Sequence, residues 1–294
     1  YETGLIRIRI NQRVSVDAAK KMGAPLNSEN QFFVQSVTTL LDGALGSRGA
    51  HVLEEYSDYP DFTGEPRSNE DSTTKTAIDL LNIGFNMRIH AIGDAANRVA
   101  LNAFEAALRQ TGKDGRDVRF ALEHAQVITS EDLPRLAELG VIASMQPLHA
   151  TEDMHFAEAR LGAERMEGAY IWKTLLENDV VVATGTDYSV SPYNPFYTLH
   201  AAVTRQDREN NPPGGWFPEE ALSREEALHA ATMAGAYAMR AEDILGSIEV
   251  GKLADFVVIP VDYMTIPAED IWKIEPEMTV IGGEVVYSRP VEAN

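Results

Sequence analysis

Three short apolar runs, each ending on a side chain able to bind a metal, constrain this chain more than any other feature. Asn86 to Asp94 reads NMRIHAIGD, Arg119 to Gln126 reads RFALEHAQ and Val180 to Asp187 reads VVVATGTD. Each has the look of a buried parallel strand. Each delivers one residue (His90, His124 or Asp187) at or just past its C-terminal end. In a (β/α)₈ barrel the strand C-termini converge on one face, where the chemistry sits. Packing alone explains a lone buried histidine. It does not readily explain His, His and Asp at three equivalent positions.

The intervening segments alternate in the way such a sheet needs. Leu5–Ile10 and Gln31–Leu41 read as strands, Thr74–Ile83 as a helix, Ala95–Arg109 as an amphipathic helix, and Ser130–Leu139 as a helix opened by a capping serine. Val141–Met145 is the next strand, followed by a polar loop, QPLHATEDMHFAE, that holds His149 and His155. Residues 57–75 are expected to form a long polar loop. Tyr170–Glu177 reads as a helix, and Ser223 with Glu226 as a capping box before an alanine-rich helix reaching about Arg240. The fold class is therefore α/β, with about six strands where a closed barrel needs eight. From Gly246 the pattern changes to β-type runs separated by glycines. The division expected is a partial barrel over 1–245 and a small β layer over 246–294.

Composition excludes several functions. The formal net charge of −20 argues against a nucleic-acid or anionic-membrane surface. The absence of cysteine removes disulfides, thiolate metal sites and a cysteine nucleophile. A metal here must use His, carboxylate or water, and two neutral imidazoles with a carboxylate suit a divalent ion, Zn²⁺ first. No apolar run is long enough to span a membrane. Nothing in the residues selects a compartment, and a homo-oligomer is compatible with them.

The remaining polar residues divide between support and contact. Glu123 precedes His124 and is expected to point the other way, into the helix layer, as a buried anchor. Asp94 is read as a helix cap. His149, nearer its strand end than His155, is an expected substrate contact, as is Arg48 in the Gly-rich turn DGALGSRG. His51, His200 and His229 are assigned to surface or packing.

Taken together, HAIGDAANR, EHAQ, LGVIASMQPLHATEDM, GTDYSVSPYNP, AAVTRQ, GSIEVGKLADFVVI and DGALGSRG resemble the YtcJ-like amidohydrolases, family 3 of the amidohydrolase superfamily. The resemblance covers almost the whole chain. It implies a TIM-type (β/α)₈ barrel with a β-sandwich built from both chain ends, of which residues 246–294 would be the C-terminal part. It implies hydrolysis of amide or related C–N bonds of a small molecule, with one or two divalent ions as cofactor. His90 and His124 match the histidine ligands of that family. Asp187 matches the aspartate that binds metal or water and shuttles the proton. A deaminase or cyclic-amide hydrolase with the same site is the alternative, and a non-catalytic partial barrel is the other.

Two departures stand out. The superfamily's first-strand His-x-His pair is absent, so the chain is expected to be the C-terminal half of a longer protein. Thr38 stands four residues before Asp42–Gly43, where the resemblance expects a lysine that is often carboxylated to bridge two metals. A lysine between Val37 and Thr38 is a further expectation, less favoured than a plain substitution by Thr38.

Overall fold

The computed structural model describes residues 6–290. Six parallel strands, β1 (Ile10–Val14), β3 (Phe32–Leu40), β4 (Asn86–Ala91), β5 (Ala121–His124), β6 (Ile142–Met145) and β7 (Val182–Thr184), run in that order across one curled sheet. A short strand, β2 (Leu26–Ser28), pairs antiparallel with β3. Among the described residues the sheet does not close, and β1 and β7 are its edges. It is a half-barrel. A separate antiparallel sheet follows, with β8 (Phe256–Val258), β9 (Met278–Ile281) and β10 (Glu284–Ser288) in the order β10-β9-β8.

Parallel pairing settles which way each side chain points, because in-register partners share a face. Met87, Ile89, Leu122 and Ala143 face the helix layer, where helices Glu70–Asn82 and Asp94–Thr111 contribute Leu80, Leu101 and Phe104 to one buried core. Phe104 stacks on Phe120 with ring centroids 4.2 Å apart. Fully burying each such side chain stabilises by roughly 1.5–3 kcal/mol. The opposite, concave face carries Arg88, Glu123 and Ser144 in the middle of the sheet. Helix Met233–Ala238 covers part of that face, with Ala234 and Ala238 against Ala121, Ile142 and Ala183.

Several boundaries differ from those the sequence suggests, each for a physical reason. Leu5 lies outside the described residues, and residues 6–9 are not strand. The alternating arginines there are spent on the small sheet. Arg9 is bidentate to Asp255 at 2.5 and 2.8 Å, and Arg7 donates to the Val286 carbonyl at 2.6 Å. The loop expected over 57–75 ends early, because Asn69 accepts a hydrogen bond from the Ser72 N–H and starts a helix at Glu70. Ser130 caps nothing, and its helix spans only Leu133–Glu138. The polar segment after β6 is helical over Pro147–Asp153, the proline at its first turn costing no hydrogen bond. The capping box of Ser223 and Glu226 is present, but the helix breaks at Thr232 into Arg224–Ala231 and Met233–Ala238.

Glu123 requires the main correction. It pairs with His90 in the β4–β5 ladder and therefore points to the concave face, not into the helix layer. There it accepts from Arg88 at 3.1 Å and from Ser144 at 3.0 Å, and meets Arg13 at 2.9 Å. Thr38 sits in unbroken register beside Arg88, directly after Val37 beside Met87.

Candidate metal centre

The site lies along the C-terminal rim of β3 to β7. His90 is the fifth residue of β4, and its ring meets that of His124 edge-on, centroids 4.4 Å apart. Strict alternation would send His124 into the helix layer, since Glu123 already takes the concave face. The backbone turns instead: His124 has φ 77° and Ala125 φ 44°. This left-handed geometry costs a non-glycine residue on the order of 1–3 kcal/mol, and such strain concentrates at functional sites. Asp187, three residues past β7, is likewise left-handed at φ 55°.

His149 comes from the helix after β6. Its ring stacks on His124 with centroids 5.5 Å apart, and its Nε2 is 3.7 Å from an Asp187 carboxylate oxygen. His124, His149 and Asp187 each offer a ligand atom, and these atoms all lie within 4.8 Å of one another. Ligand bonds of about 2.0–2.2 Å place donors up to roughly 4.4 Å apart across one ion. The trio is therefore grouped on the scale of a single ion's ligand shell.

His90 stands beside this group with a different neighbour. Its Nε2 is 3.5 Å from Oδ1 of Asp42. Asp42 is fully buried and accepts from the backbone N–H groups of His51, Ile92 and Gly93 at 2.9, 3.1 and 2.8 Å. It thereby ties the end of β3 to the end of β4. Gly93 is needed for this approach: a Cβ there would sit 1.9 Å from the His51 carbonyl oxygen. Burial pushes the Asp42 carboxyl up to about 6, against the pull of those three N–H groups.

Burial favours the neutral form of His90 and His124. Burial, then the neighbouring His90 and His149 rings, depress His124 to about 3, and burial lowers His90 as well. His90 Nε2, His124 Nδ1 and His149 Nε2 are buried with no hydrogen-bond partner among the described residues. A buried polar atom left unpaired is costly, and three such nitrogens at one rim fit a ligand set for a cation.

The other expected site residues are placed as follows. Arg48 is bidentate to Asp58 at 3.0 and 2.8 Å, so its charge is matched within the protein, and it ties the Gly-rich turn to the following loop. Asp94 opens its helix without capping it from outside. Its Oδ1 takes the Ala95 and Leu53 N–H groups, both at 2.9 Å. His155 and His229 are exposed, His51 bonds the Thr63 carbonyl, and His200 is buried between the carbonyls of Ala268 and Asp207. Sequence reasoning misses Asp42 and the pair Asp153–Tyr170, whose partners are remote in the chain.

The chain is similar to known proteins along most of its length. The chain matches the amidohydrolase family over residues 2–287. It is 32% identical to the putative amidohydrolase YtcJ of Bacillus subtilis over 84% of its own length and 46% of that protein's. It is also 32% identical to Protein LONG AFTER FAR-RED 3 of Arabidopsis thaliana, over 87% of this chain and 43% of the relative. It thus spans about half the length of these curated relatives. Among solved structures, an uncharacterised metal-dependent hydrolase from Pyrococcus furiosus superposes with a TM-score of 0.77 at 30% identity, over 90% of this chain and 53% of the other. With its strand order, its rim of histidines and this match over nearly its full length, the chain belongs to the amidohydrolase family.

Proposed function

We propose that the protein containing this chain is a metal-dependent hydrolase of amide or related C–N bonds in small molecules. The observation that carries this reading is the convergence of His124, His149 and Asp187 within 4.8 Å, around buried imidazole nitrogens that no described residue satisfies. These residues would hold a divalent ion, Zn²⁺ by the chemistry of the donors, with His90 alongside on the strand before. When bound, the ion supplies Lewis acidity, which makes a water reactive at neutral pH and polarises a carbonyl.

The chain's own residues do the rest. Burial holds His124 neutral, so its ring nitrogen keeps a lone pair for coordination. Asp187, with a side chain 37% exposed, is open to solvent and substrate where the imidazoles are not. It is placed to take a proton from the attacking water and return it to the leaving nitrogen as the C–N bond breaks, releasing acid and amine. His149 stands 3.7 Å from that carboxylate, close enough for both to face one ion.

Chelation tests this directly. Full-length protein stripped with a chelator is expected to lose hydrolysis of amide substrates by at least about 10-fold, and to regain it on adding Zn²⁺. Unchanged hydrolysis by protein shown to be free of metal would contradict the reading.

A further inference from the structure

Next to the candidate metal centre lies a polar network that the chemistry above does not use. Asp153 sits four residues after His149 on helix Pro147–Asp153, a spacing that puts both on one helical face. Tyr170, buried, donates its hydroxyl to Asp153 Oδ2 at 2.6 Å. Gln126, also buried and two residues past His124, donates to the same Oδ2 at 3.0 Å and to the Tyr170 hydroxyl at 2.8 Å. Two donors from separate segments thus converge on one carboxylate oxygen.

The other oxygen, Oδ1, accepts no hydrogen bond among the described residues, although Asp153 is only half-buried. A carboxylate held rigidly by one oxygen presents the other in a fixed direction. Its helix also carries His149, whose Nε2 lies 3.7 Å from an Asp187 oxygen. Asp153 thus stands one helical turn from His149, on the same face of the helix. A carboxylate oxygen is purely an acceptor, and the partner that satisfies it best is an N–H.

We infer that Asp153 is a substrate-recognition residue whose free oxygen accepts an N–H from the substrate's nitrogen. The substrate class is accordingly primary and secondary amides, in preference to fully substituted ones. Tyr170 and Gln126 are positioning residues that hold Asp153 in this orientation. This inference rests on the hydrolase reading above and narrows it.

The test is a matched pair of substrates, a secondary amide and its N-methylated tertiary counterpart with the same acyl group, given to the full-length protein loaded with Zn²⁺. The wild type is expected to favour the secondary amide on the order of 10-fold or more in kcat/KM, as sites built to bond an N–H reject analogues lacking it. In Asp153→Asn the amide oxygen takes the Tyr170 and Gln126 donors, which leaves an NH₂ where the acceptor stood. The preference is then expected to fall towards one, with the fold unchanged by circular dichroism. Tyr170→Phe keeps the carboxylate but removes one of the two donors that orient it, so its preference is expected to fall between those of the wild type and Asp153→Asn. Equal hydrolysis of both substrates by the wild type, or an undiminished preference in Asp153→Asn, would overturn the inference and leave the hydrolase reading standing. Hydrolysis of neither would overturn both.

Discussion

Asp187→Asn in the full-length protein is expected to lower kcat for amide hydrolysis by roughly 10²–10⁴, the range that a positioned general base contributes. The substitution keeps shape and hydrogen-bonding capacity but removes the ability to take a proton. The Asp187 side chain is 37% exposed and its nearest ionisable neighbour, His149, is 3.7 Å away, beyond hydrogen-bond distance, so the fold should not depend on it. Unfolding midpoint and far-ultraviolet circular dichroism should match the wild type. If hydrolysis survives in a variant that has kept its metal, Asp187 does not move the proton.

The second large effect is on stability and lies one layer below the site. Arg88 is 4% exposed, and its charge is met by Glu123, which is 7% exposed and also engages Arg13 and Ser144. Burial lowers the Arg88 pKa, and the Glu123 charge opposes that shift. Glu123→Ala leaves the guanidinium buried without its partner, which costs about 3–5 kcal/mol. Urea denaturation of the full-length protein should show a correspondingly lower midpoint. Replacing both residues, as Arg88→Met with Glu123→Leu, should recover most of that loss, because the desolvation cost disappears with the charge. A single Glu123→Ala variant as stable as the wild type would show that water reaches this layer freely.

Much of this architecture is legible in the residues. Short apolar runs alternating with helices point to a parallel sheet, and His90, His124 and Asp187 to its C-terminal rim, because strand ends in such sheets are set by hydrophobic run length. Two things are not legible. The direction of a side chain at a strand end depends on one dihedral angle, and His124 at φ 77° escapes the alternation that strands obey. That left-handed turn lets Glu123 and His124 both face the concave side. Alternation counted back from His124 therefore assigns Glu123 to the wrong face.

The other illegible part is contact between remote segments. His149 reads as a loop residue because QPLHATED is polar, yet Pro147 begins a helix that brings its ring onto His124. Asp42 looks like a turn residue, but burial and three backbone donors make it the clasp between β3 and β4. The Gln126–Asp153–Tyr170 network joins positions up to 44 residues apart, with no local pattern to betray it. Such contacts follow from the register of the sheet, which no single segment encodes.

Whether the rim binds a divalent ion through His124 and its neighbours is tested most directly by elemental analysis. Plasma mass spectrometry would be applied to full-length protein, wild type beside His124→Ala. The wild type should carry at least about one divalent ion per chain, and a folded His124→Ala protein should carry far less, since losing an inner ligand weakens such sites severely. The same metal content in both proteins would contradict the assignment of His124 to the centre.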